Sequence, residues 1–205
     1  CWENASQLQH AAKNNWESAN SLREAAKCMK NASRLTEYVN YIKRSATILI
    51  DEGKFSTAAN AYREAADTLM QSGEYDKALE LYKLAADLIS IDDDSKINYI
   101  TTLAKLAECY AWLEDYENAW MNFEKAAESQ IARNSTMDNH IASDYFYKAG
   151  LCALCFDLIT AKKAIEKYDT ECSGFPSTVK GRLLHQVAEA YEGMNEASFM
   201  EAITL

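Results

Sequence analysis

The chain has 205 residues, 48% of them apolar, and a formal charge of −10. That length and composition are enough to bury a real core in one or two domains. The negative balance argues against nucleic acid as the main partner, since phosphate binding needs a basic stripe; it leaves room for a local basic face, because net charge averages over both surfaces.

One proline and six glycines leave little material for turns. Ala, Leu, Glu and Lys fill the long segments, which is helix-former composition, so the chain reads as all-α. The first segment, "CWENASQLQHAAKNN", predicts a helix at 2–13. It has neither the basic n-region nor the apolar h-region of a signal peptide. It also lacks an initiator Met, so the chain is expected to be a piece of something longer. A second helix, at 16–30, opens on "WESANSLREAA", a degenerate form of a template that recurs three times downstream. The template is an aromatic, Ala at +3, an aromatic at +7 and Ala at +10 and +11. Full copies are "FSTAANAYREAA" from Phe55, "YDKALELYKLAA" from Tyr75 and "YENAWMNFEKAA" from Tyr116. These offsets fall on one helix face, so each copy predicts a packing stripe of aromatics and alanines.

A helix at 35–51 precedes the first full copy, and copies at 55–71 and 75–89 follow it across the turn signals "DEGKF" and "QSGEY". The acid-rich stretch "SIDDDSK" then leads into a helix at 95–112, and "LEDY" separates that from one at 116–132. Helices at 139–155, 157–169, 178–192 and 196–204 complete the chain. The longest uninterrupted apolar stretch, residues 150–156, is far short of the roughly 20 residues a membrane span needs.

The template anchors at 16, 55, 75 and 116 imply a unit of about 40 residues made of two helices. Such units stack as a right-handed α-solenoid of tetratricopeptide-like (TPR-like) helical hairpins, each touching mainly its neighbours. Five hairpins at ~10 Å spacing give a slab on the order of 50 Å long. The helices are longer than in the consensus repeat of about 34 residues, and the consensus proline is missing. The loop "TECSGFPST" at 170–178 is expected to divide the solenoid, 1–170, from 171–205, the start of a C-terminal helical bundle within a single structural unit.

Catalytic and metal chemistry find little to work with. Cysteines lie at 1, 28, 109, 152, 155 and 172, without scaffold density or an export signal, which favours reduced thiols in the cytosol. The CxxC in "DYFYKAGLCALCFDL" (Cys152, Cys155) sits late in its helix, whereas a redox pair sits at a helix N-terminus. A zinc site needs four ligands, and His140, Cys172 and His185 have no ligand spacing. Both thiols are therefore expected to be small buried packing residues. The three histidines are isolated in sequence. The acids at 92–94 lack the glycine and glutamate of a calcium loop and read as a solvated connection. No cofactor is expected, and a binding scaffold is the default.

Four segments carry a family resemblance. "DYFYKAGLCALCFDLITAKKAIEKYD", "DEGKFSTAANAYREAAD", "LAKLAECYAWLEDYENAWMNFEKAAE" and "LLHQVAEAYEGMNEASFMEAI" resemble successive hairpins of the soluble NSF attachment proteins (SNAPs) of the α/β type. The resemblance implies a cytoplasmic, non-enzymatic adaptor of vesicle trafficking and membrane fusion, peripherally associated with membranes. Such an adaptor lies along an assembled SNARE four-helix bundle and recruits the hexameric ATPase NSF, which pulls the bundle apart. Family acids that meet the ATPase match Asp157, Glu189 and Glu192, with Gly193 where another acid is expected. Family cations that face the SNARE bundle match Lys54 and Lys105. Two further family lysines fall on Asn60 and Thr101, with Lys43, Arg63 and Lys96 as the nearby cations. SNARE contacts ahead of residue 144 map near Met137 and His140. The membrane-touching N-terminal loop and the leucine-bearing C-terminal tail of the family fall outside the sequence, so poor stimulation of disassembly is expected. The rival reading is a TPR-like peptide-binding module unrelated to SNAREs; a helical-repeat domain within an enzyme has nothing in the sequence to argue for it.

Overall fold

The computed structural model describes residues 2–11, 14–90, 96–133, 136–172 and 174–204. These hold eleven helices: α1 (Trp2–Ala11), α2 (Asn15–Asn31), α3 (Leu35–Asp51), α4 (Phe55–Gln71), α5 (Tyr75–Ser90), α6 (Lys96–Trp112), α7 (Tyr116–Ile131), α8 (Thr136–Phe156), α9 (Leu158–Glu171), α10 (Val179–Glu192) and α11 (Glu196–Thr204). Among the described residues a 3₁₀ turn at Phe175–Ser177 is the other regular element, and there is no strand. The expected helices are all present. The largest shift is in α8, which starts at Thr136 rather than 139 because no proline or glycine stands in that run to stop it. No helix among the described residues is long and apolar enough to cross a membrane.

The chain divides into two compact units, residues 1–102 and 103–205. In the first, α1 packs on α2, α2 on α3, α3 on α4 and α4 on α5, the nearest-neighbour order of stacked hairpins. In the second, α7 packs on α8 and α8 on α9, while α10 packs on α8, α9 and α11. The fold class is all-α, of TPR-like helical-hairpin solenoid type. The loop at 170–178 lies inside the second unit.

The template is a packing stripe. In its three full copies every alanine is buried (Ala58, Ala65, Ala66; Ala78, Ala85, Ala86; Ala119, Ala126, Ala127), as are the +7 rings of Tyr62, Tyr82 and Phe123. The first aromatic of each copy is only half-buried at the helix start. Small residues on that face let helices approach closely, and the rings fill the space beside them.

Five turns share one closing device. The chain passes through a left-handed residue at Ser33, Gly53, Gly73, Glu114 or Met194. The next N–H then bonds the carbonyl five residues back, as Arg34 to Met29, Lys54 to Leu49, Glu74 to Leu69, Asp115 to Tyr110 and Asn195 to Ala190. This is the Schellman closure, which satisfies orphan carbonyls at a helix end. Glycine takes the left-handed position without strain at two of the five turns.

The repeat is also visible in polar contacts. Bonds between side chains one repeat apart join next-but-one helices: Lys30 to Thr68 (2.9 Å) and Lys43 to Glu80 (2.6 Å) in the first unit, Lys148 to Glu108 (2.8 Å) and Lys167 to Glu124 (3.0 Å) in the second. The exposed ion pairs among them add little stability and serve to fix register.

Candidate functional site

The acids expected to meet an ATPase gather at the end of the second unit. Asp157 is the N-cap of α9, its carboxylate accepting the Thr160 N–H at 2.7 Å. That bond holds the Asp157 carboxyl below the usual carboxylate range while leaving the group exposed. Glu192 ends α10 and pairs with Lys162 of α9 at 2.8 Å, which raises the lysine above its ordinary range. Asp157 and Glu192 line one open cleft of about 640 Å³, together with Glu196, Tyr191, Met194 and Phe199. Glu189 faces an adjoining hollow of about 370 Å³ with Gln186, Asn195, Ser198 and Glu201. It is exposed and has no ion-pair partner among the described residues.

Glu196 is a further acid of the cleft that the sequence expectations do not include. It opens α11 just after Asn195, whose side chain accepts the Ser198 N–H at 3.1 Å, and so places an acid beside the cleft where Gly193 supplies none. The signal was local: Asn followed by Glu ahead of an apolar run marks a helix start.

The cleft also corrects the reading of the CxxC. Cys152 is buried, and burial pushes its thiol up to about 12. Cys155 is exposed and lines the cleft, so only one of the two cysteines is the buried small residue expected of both. Two residues spaced i, i+3 share a helix face, but α8 ends at Phe156 and Cys155 in its last turn borders the open cleft. The C-terminal end of a helix disfavours a thiolate, which suits packing and not redox chemistry. Among the described residues no cluster of His, Cys, Asp and Glu could hold a metal ion. The acids at 92–94 lie outside the described residues.

The histidines need one correction. His185 Nε2 sits 3.1 Å from an Asp169 carboxylate oxygen, joining α10 to α9. This pair comes from packing, sixteen positions apart in sequence, and could not be seen from local spacing.

The cations expected to face a SNARE bundle lie in both units. In the first unit, Lys54 precedes α4 and holds its ammonium 4.3 Å from the centroid of the half-exposed Trp16 ring, a cation–π contact. In the second, Lys105 reaches Glu108 at 2.8 Å, and Lys148 reaches the same carboxylate at 2.8 Å. Burial pushes the Glu108 carboxyl up, but its hydrogen bonds with the two lysines outweigh this and hold it below the usual range. His140 is exposed on α8. Met137 belongs to the same helix, and its side chain lies outside the described residues.

The neutral positions Asn60 and Thr101 are not left without charge. Arg63 of α4 lies between them, with Nη1 donating to Asn60 Oδ1 (3.5 Å) and Asn98 Oδ1 (3.1 Å), and Nη2 to Thr101 Oγ1 (3.2 Å). Lys43 is spent on Glu80, and Lys96 is exposed at the start of α6.

Comparison with known proteins places the chain in a family. The profile of the soluble NSF attachment protein family, SNAP, matches residues 1–204. The mouse alpha-soluble NSF attachment protein is 36% identical over 101 residues, 49% of this chain and 34% of that protein. The bovine beta-soluble NSF attachment protein is 39% identical over 105 residues, 49% of this chain and 33% of that protein. The matched segments thus span about a third of the length of these relatives. Among solved structures, a signal-transduction ATPase with a tetratricopeptide repeat sensor from Pyrococcus horikoshii superposes with a TM-score of 0.58 at 16% identity, over 99% of this chain and 35% of that one. That likeness concerns the helical-repeat fold alone. With its profile match over almost the whole sequence, the chain belongs to the soluble NSF attachment protein family.

Proposed function

We propose that the protein is a non-enzymatic adaptor that binds an assembled SNARE four-helix bundle and recruits an NSF-type hexameric ATPase for its disassembly. The observation that carries the reading is the placement of Asp157 and Glu192 on one cleft, with Glu189 in the hollow beside it. Fixed carboxylates at one end of a helical scaffold suit a basic partner surface and steer its approach more than they add affinity. The cation side is Lys54 and Lys105, with His140 and Met137 as further contacts to the bundle. The protein then works in the cytoplasm, peripherally at membranes, and residues 171–205 begin a C-terminal helical bundle.

The test is co-precipitation of the full-length protein with an assembled SNARE bundle, with and without the ATPase. Glu189→Lys combined with Asp157→Asn, which keeps a capping side chain on α9, should weaken ATPase recruitment about tenfold at 0.1 M salt. SNARE binding should be unchanged, and the recruitment defect should shrink as salt screens the contact. Equal loss of both activities would show that the acids are assigned to the wrong surface. Binding of the unmodified protein to neither partner would sink the adaptor reading and favour a peptide-binding module.

A further inference from the structure

Six of the twelve cations of the first unit are spent on carboxylates: Arg23 on Glu64, Lys27 on Glu24, Arg34 on Glu37, Lys43 on Glu80, Arg44 on Glu3 and Lys77 on Glu74. Arg63 is different. Its three acceptors, Asn60 Oδ1, Asn98 Oδ1 and Thr101 Oγ1, are all neutral, so its charge is held in place without being cancelled. The clamp is itself braced, because the Thr101 hydroxyl donates to the Asn98 carbonyl at 3.0 Å and leaves its lone pairs to the guanidinium. Two helices thus fix the group, α4 through Asn60 and α6 through Asn98 and Thr101. Of the five N–H donors of a guanidinium, the one on Nε and one on Nη2 remain without an acceptor among the described residues. The guanidinium thus keeps N–H donors to offer an incoming carboxylate.

Resting on the adaptor reading above, we infer that Arg63, clamped between α4 and α6 by Asn60, Asn98 and Thr101, is a contact for a carboxylate of the SNARE bundle. One pre-oriented guanidinium supplies the charge that Asn60 and Thr101 do not. Holding the side chain before the encounter removes part of the ordering cost that a free lysine carries into binding. Arginine also offers a carboxylate two directional bonds where a lysine offers a point charge, so the site should prefer an aspartate or glutamate at one register of the bundle.

The experiment titrates the full-length protein against a recombinant assembled SNARE bundle at about 0.1 M salt and again at higher salt, with circular dichroism melts of every variant. Arg63→Gln, which keeps a hydrogen-bonding side chain and removes the charge, should weaken binding about 3- to 10-fold and make the salt dependence shallower. Adding Asn60→Lys to Arg63→Gln should recover most of the loss, because it returns a cation to the same place. Thr101→Val, which keeps the charge but loosens the clamp, should cost less than Arg63→Gln. Wild-type-like binding by Arg63→Gln would overturn the inference. So would a loss that Asn60→Lys does not rescue and that comes with a lowered melting temperature, since Arg63 would then be a strut between helices. If the unmodified protein does not bind the bundle, the adaptor reading falls and this inference falls with it.

Discussion

In residues 1–102 a dense alanine stripe runs through the core beside leucines and the rings of Tyr38, Tyr62 and Tyr82: Ala58, Ala59, Ala61, Ala65 and Ala66 of α4 are all buried, as are Ala78, Ala85 and Ala86 of α5. Residues 103–205 use alanine too, but three rings organise their centre. Phe146 stacks on Tyr168 with centroids 4.3 Å apart, and Phe175 meets both edge-on at 6.3 Å. Trp120 Nε1 donates to the Tyr168 hydroxyl at 3.0 Å, so that buried phenol is satisfied. Phe175 enters through the 3₁₀ turn after Gly174, and α10 packs on both α8 and α9 there. The first region therefore keeps a nearest-neighbour repeat, while the second spends its rings on joining helices from different hairpins. Charge divides the same way. The first region has 12 basic and 15 acidic side chains, the second 9 and 16, so formal charges of −3 and −7 accompany a clamped arginine and an acid-lined cleft respectively.

Truncation and enlargement should hurt the two regions differently. The largest expected effect is Phe146→Ala, which removes the centre of the ring cluster and should lower stability by about 3–5 kcal/mol in urea unfolding. A loss under about 1 kcal/mol would mean that the rings do not organise that core. In the first region the harmful change is growth: Ala59→Leu should cost about 1–3 kcal/mol through overpacking. Gly181→Ala should cost a similar ~1–3 kcal/mol, since the new Cβ would lie 2.0 Å from the Phe175 carbonyl oxygen and backbone must move. The same change at Gly150 meets only the Leu184 side chain, which can turn away, and should cost less.

The turns sharpen the comparison with smaller effects. Glu114→Gly, in the second region, should stabilise by about 0.5–1 kcal/mol by relieving a left-handed non-glycine residue. Gly53→Ala, at the equivalent turn of the first region, should destabilise by ~1 kcal/mol in the same assay. The smallest test is chemical: a thiol reagent at neutral pH should label Cys155 at once and Cys152 only on unfolding. Equal labelling would show that α8 is not packed as described.

The helices were legible because the aromatic-and-alanine stripe repeats in sequence with the period of the structure. Its copies at Phe55, Tyr75 and Tyr116 each begin a helix, and "DEGKF", "QSGEY" and "LEDY" each hold the left-handed residue of a turn. The left-handed Ser33 and Met194 carry no such signal, since neither is a turn-forming glycine or asparagine. What could not be read were facts of distance. The His185–Asp169 pair, the fork of Arg63 across α4 and α6, and the exposure of Cys155 depend on which helices become neighbours and where each one stops. The resemblance points to Asp157, Glu189 and Glu192 one by one, whereas their convergence, and the part of Glu196 in it, depend on how α8, α10 and α11 end beside one another.

The cap at the start of α9 has a consequence for how a charge is presented. Asp157 accepts its own helix's N–H, so its carboxylate has already chosen a rotamer and points outward from a rigid stem. Glu189, three rotatable bonds from the backbone and unpaired, must give up that freedom whenever a partner arrives. Of two acids that look alike in sequence, the one that closes a helix behaves as a fixed landmark for an incoming cation, and the other as a tether that tightens afterwards.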